Sequence, residues 1–145
     1  MPSIEECFAA QHGPLTCVAA CLAIIRRWRG ERIDEAAVRQ AWGDPPYALA
    51  VHAAADGTYV PTDPDAPSSL EYLRAHLKDG WVVITLQLAP RRPAHAVILV
   101  GINSTGALQY LDPADPAEKQ PFAMSEAELV KAWTGQLLIA RRPPT

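Results

Sequence analysis

Cys17, His95 and Asp112 are the side chains of this sequence whose types and order could carry out acyl-transfer chemistry, with the amide of Gln11 six residues before the cysteine. A thiolate attacks a carbonyl carbon, an imidazole moves the proton, and a carboxylate fixes the imidazole's tautomer and orientation. A side-chain amide beside the thiol donates to the oxyanion, the interaction that usually contributes most to this chemistry. Taken singly these residues are ordinary: a cysteine is commonly a small core hydrophobe, a histidine by an apolar strand a satisfied edge residue, and Asp-Pro a turn opener. Their combination on particular elements is what points to catalysis.

The elements that must position them can be read from periodicity. A helix is predicted from Cys17 to Gly30, with Thr16 as its cap and Arg26, Arg27 and Arg29 at the end where the dipole favours cations. Val18 to Ile25 is apolar or small on every side, so this helix is expected to be buried. Cys17 then lies in a first turn, where unpaired N–H groups and the positive dipole end favour a thiolate. A second helix is expected after Asp34, with Ala37, Val38, Ala41 and Trp42 on its apolar face. A third begins at Ser68, where Ser68-x-x-Glu71 has capping-box spacing and Leu70, Leu73 and Leu77 recur.

Trp81 to Leu88, His95 to Ile102 and Leu108 to Leu111 read as strands, Ser125-x-x-Glu128 opens a short helix to Trp133, and Gln136 to Ala140 makes a last strand. If Asn103 to Gly106 forms a four-residue loop, residues paired across the hairpin sum to 209. Asp112 then faces Val97, and His95 is its diagonal neighbour on the same face, roughly 7 to 8 Å away at Cα. Helices first and an antiparallel sheet second is an α+β arrangement.

The chain of 145 residues, 49% hydrophobic and 20% charged, has the size and balance of a single domain over 1–145. A formal charge of −3 offers no basic field for nucleic acid. Met1 to Cys7 lacks a basic n-region and an apolar h-region, and Cys17 to Ile25 is too short to span a bilayer, so a cytoplasmic protein without a membrane span is expected, unless it is delivered or secreted as part of a longer chain. Three cysteines leave at least one free thiol within the monomer. Cys7, Cys17 and Cys21 with His12, His52, His76 and His95 match no ordinary structural zinc spacing, and no metal or cofactor is expected.

At these positions the chain resembles the bacteriocin-processing peptidases, papain-like domains that remove double-glycine leader peptides. The resemblance rests on Gln11-His12-Gly13-Pro14-Leu15-Thr16-Cys17, on the small apolar helix Val18 to Ile25, on His95-Ala96-Val97-Ile98-Leu99-Val100-Gly101 and on Asp112-Pro113. Thr16 and Val18 stand where the family has Asp and Gly. The resemblance implies a papain-like fold, its buried N-terminal helix bearing the nucleophile and packed on an antiparallel sheet. It also implies Cys17 as nucleophile, Gln11 as oxyanion donor, His95 as base and Asp112 as orienter. The implied activity is a cysteine peptidase, engaged in leader processing or acting as a proteolytic toxin. Expected partners are a protein or peptide substrate and an inhibitor or immunity protein.

The same triad also supports acyl transfer to an amine or deamidation of a glutamine, and the fold without turnover would be a peptide-binding module. Trp28, Trp42, Trp81 and Trp133 are expected in the core or a cleft wall, Arg91-Arg92 on a solvated connection, and the proline-rich stretch from Asp56 to Pro67 as a mobile loop.

Overall fold

A computed structural model describes residue 8 and residues 17–33, 36–38, 57–63, 65–78, 80–87, 95–115 and 120–140. Helix α1 (Cys17–Trp28) is followed by strand β1 (Gly57–Pro61), helix α2 (Pro67–Leu77), strands β2 (Val82–Leu86), β3 (His95–Ile102), β4 (Leu108–Leu111) and β5 (Phe122–Met124), helix α3 (Glu126–Ala132) and strand β6 (Trp133–Ala140). The strands form one antiparallel sheet in the order β1-β6-β2-β3-β4-β5. The protein is α+β, with helices on both faces of the sheet.

Alternation along the strands sorts the core into two layers. Val83, Ala96, Ile98, Leu111 and Leu138 face α1, packing on Cys21, Leu22, Ile24, Ile25 and Trp28. Val82, Ile84, Leu86, Val97, Leu99 and Leu108 face the other way, toward Leu73 and Leu77 of α2 and Leu129 of α3. The body of α1 is buried from Ala20 to Ile25, as a helix apolar on all sides must be. Its far end is fixed twice. Trp28 stacks on Trp81 with ring centroids 4.8 Å apart, and Gly30 (φ 99°) lets Glu31 N–H and Gly30 N–H close back on the Arg26 and Arg27 carbonyls, a Schellman stop.

Several expectations need correction. Helix α2 starts at Pro67, with Ala66 before it making no side-chain cap, so the Ser68-x-x-Glu71 capping box is not formed. Proline already supplies a first residue that needs no N–H partner, and Ser69 instead donates through its hydroxyl to the Asp63 carbonyl at 2.6 Å. The stretch expected as a mobile loop from Asp56 contains β1, paired along its length with β6. The second expected helix, with Asp34 as its cap, is described only at 36–38; Ala41 and Trp42 lie outside the described residues, as do Arg91 and Arg92.

Candidate active site

Strands β3 and β4 have the bounds their residue pattern predicts, but their connection differs. Asn103 N–H donates to the Ala107 carbonyl at 2.9 Å, so the loop holds three residues, Ser104 to Gly106, rather than four. Gly106 (φ 86°) takes the left-handed position this loop demands, and the Asn103 side chain accepts from Thr105 and Ala107 N–H groups. An odd loop alone would shift the ladder by one residue and carry Asp112 to the opposite face. A bulge prevents this: Val100 is the extra residue between the pairs Leu99↔Tyr110 and Gly101↔Gln109. Beyond the bulge Ile98 pairs Leu111, the register predicted for the site end of the hairpin.

That register brings His95 and Asp112 together, and His95 Nε2 lies 2.6 Å from Asp112 Oδ1. Asp112 follows the last residue of β4 and is held on three sides. Its Oδ1 also accepts from Ala114 N–H at 2.9 Å. The Gln120 side chain grips its backbone, Oε1 accepting from Asp112 N–H and Nε2 donating to the Asp112 carbonyl, each at 2.9 Å. A carboxylate whose backbone is fixed on both polar groups has little freedom to swing away from the imidazole. Sequence reasoning missed Gln120, because a polar contact between residues eight apart leaves no periodic signal.

Cys17 opens α1 on the opposite face of the sheet from the His95 and Asp112 side chains. Its Sγ accepts from Ala96 N–H at 3.4 Å, which ties the start of α1 to the start of β3, and the His95 ring is also hydrogen-bonded to Cys17. The imidazole therefore bridges thiol and carboxylate around the end of the sheet. Both members of the His95–Asp112 pair are largely shielded, at 19% and 17% side-chain exposure.

Burial acts to lower the His95 pKa, but the hydrogen bonds to Asp112 and Cys17, and the negative charges there, outweigh it and hold the imidazole up at about 10. At neutral pH the imidazole is thus protonated. Cys21, one turn along α1, has the opposite character: complete burial first, then the charges of Cys17 and Asp112, push its thiol well above the ordinary value. Two cysteines on one helix are so divided into one against an imidazolium and one inert in the core. Gln11 and Cys7 lie outside the described residues.

Beside the His95–Asp112 pair is a cavity of about 140 Å³, with Leu86, Val97 and Met124 among its apolar walls and Tyr110 and Glu128 among its polar groups. Among the described residues no three potential ligands group as a metal site, and no helix is long and apolar enough to cross a membrane. No family model matches the chain, and no curated protein matches it significantly.

Proposed function

We propose that the protein is a cysteine peptidase of papain-like architecture, in which Cys17 is the nucleophile, His95 the proton carrier and Asp112 the group that orients and charges the imidazole. The observation that carries this reading is the His95 ring set between the two, 2.6 Å from Asp112 Oδ1 and hydrogen-bonded to Cys17. The sequence resemblance to the bacteriocin-processing peptidases supports the same roles, and assigns the oxyanion donor to Gln11. Leader processing and a toxin's attack on another protein both use this chemistry.

With the proton already on His95, the resting pair is a thiolate and an imidazolium. The Cys17 thiolate attacks the scissile carbonyl carbon, forming the C–S bond and an oxyanion. His95 gives its proton to the leaving nitrogen as the C–N bond breaks. The neutral imidazole then takes a proton from water, whose oxygen attacks the thioester; the C–S bond breaks and the resting ion pair returns. Asp112 stabilises the imidazolium without itself taking the proton.

Limiting iodoacetamide near neutral pH, followed by mass spectrometry of the peptides, tests the pair. Cys17 is expected to be alkylated in preference to Cys7 and Cys21, and about tenfold more slowly in His95→Ala, where no imidazolium holds the thiolate. Equal, slow reaction of all three thiols would refute the reading.

A further inference from the structure

The cavity beside His95 has a composition that the triad does not account for. Leu86 and Val97 supply apolar walls from the strands, Met124 closes it from β5, and Ala132 from α3. Tyr110 and Glu128 line it as well, beside His95 and Asp112. Glu128 is exposed, but its carboxylate is held in place: Ser125 N–H donates to its Oε1 at 3.3 Å, while its own N–H donates to Ser125 Oγ at 3.1 Å, the reciprocal bonds of a capping box. Among the described residues none bonds its second carboxylate oxygen. Arg74 of α2 is engaged by Glu126. Burial raises the Tyr110 pKa, and the charges of Asp112, Glu128 and Asp115 raise it further, so the phenol remains a neutral hydrogen-bonding group in a negative field.

Apolar walls with a fixed negative group suit an aliphatic stem that ends in a positive charge. The volume of about 140 Å³ accommodates such a side chain. Its place relative to the chemistry follows from the proton. His95 must reach the leaving nitrogen, so the residue that contributes that nitrogen lies on the His95 side of the scissile bond, where this cavity lies.

We infer that this cavity is a specificity site for a lysine or arginine side chain on the residue that contributes the leaving amine, its stem against Leu86, Val97 and Met124 and its cation at Glu128 and Tyr110. The inference rests on the peptidase reading of Cys17 and His95, and the test separates the two.

Iodoacetamide bearing an aminobutyl arm on its nitrogen carries a cation at the end of an aliphatic stem while the thiolate attacks its CH2 carbon and iodide leaves; a pentyl arm is its neutral isostere. In the wild-type protein at low salt the cationic reagent is expected to alkylate Cys17 about tenfold faster than the neutral one. Glu128→Gln keeps an oxygen for the Ser125 N–H but loses the charge, and should bring the ratio of the two rates close to one. Glu71→Gln makes the same charge change on the exposed face of α2 and should leave the ratio as it was. A wild-type ratio near one, or a ratio that survives Glu128→Gln, overturns the specificity site while the selective reactivity of Cys17 stands. Equal, slow alkylation of all three cysteines by both reagents overturns the peptidase reading and this inference with it.

Discussion

The His95 imidazole, held up at about 10, sets burial, which disfavours its charge, against the hydrogen bonds to Asp112 and Cys17 that favour it. The sign of the outcome fixes two measurements. Because the folded pKa of about 10 lies above the ordinary value of 6.5, the imidazolium stabilises the fold fully below pH 6.5, and this contribution is lost as pH rises through about 10. In Asp112→Asn the hydrogen-bonded charge is gone, so the His95 pKa should fall toward its ordinary value. NMR titration of the His95 ring should therefore place its midpoint near 10 in the wild type and lower in Asp112→Asn. Thermal melts should show the wild type losing more stability than the variant between pH 6.5 and 10. A wild-type ring that titrates near 6.5 would mean that the thiolate and carboxylate do not hold the proton on His95.

At the scale of elements, the site is made by strand ends and a helix start, and a single-residue slip in the hairpin would take it apart. The extra residue at Val100 offsets the odd loop from Ser104 to Gly106, and the two together leave Asp112 on the face of His95. The apolar, β-branched runs from His95 to Ile102 and from Leu108 to Leu111 made both strands legible, whereas the site register was reached from an assumed four-residue loop and holds because the bulge offsets the three-residue one. The bulge was not legible, because Val100-Gly101 looks like any other pair of strand residues. Edge strands were the other omission. Gly57–Pro61 and Phe122–Met124 are short and carry glycine or proline at or beside their ends, features that ordinarily mark turns. Gln120 escaped for a related reason: it acts through a polar contact that follows neither strand nor helix period. Edge strand β1 also yields a prediction. A Cβ at Gly57 would collide with the Ile139 carbonyl of β6, so Gly57→Ala must push the two strands apart. A loss of about 1–3 kcal/mol is expected in urea unfolding. Cys17 alkylation under native conditions should not change, because β6 and β2 lie between β1 and the strand that bears His95. A fall in alkylation rate with Gly57→Ala would mean that the site depends on the whole sheet rather than on its β3–β4 half.

Across the whole molecule, the sheet separates the thiol from its partners. Cys17 comes from the helix on one face, while His95 and Asp112 project from the other, and they meet only at the sheet's end. The distance between sulfur and imidazole is therefore set by how α1 docks on β3, and the layer of α2 and α3 bears on stability without directly setting that distance. Two fully buried leucines separate these roles. Leu22 of α1 packs in the layer that seats Cys17, and Leu73 of α2 packs in the opposite layer. Either change to alanine should cost about 2–5 kcal/mol in global stability, the usual range for a buried leucine. Leu22→Ala leaves its cavity under the helix that carries the thiol, so α1 can settle and the Cys17–His95 contact loosens; Leu73→Ala leaves its cavity on the far side of the sheet. Compared well below their melting transitions, Leu22→Ala should slow selective alkylation of Cys17 several-fold, and Leu73→Ala should leave it near the wild-type rate. If both variants lost reactivity in proportion to their stability, α1 docking would not be what places the thiol. The reactivity of Cys17 would then follow the fold as a whole.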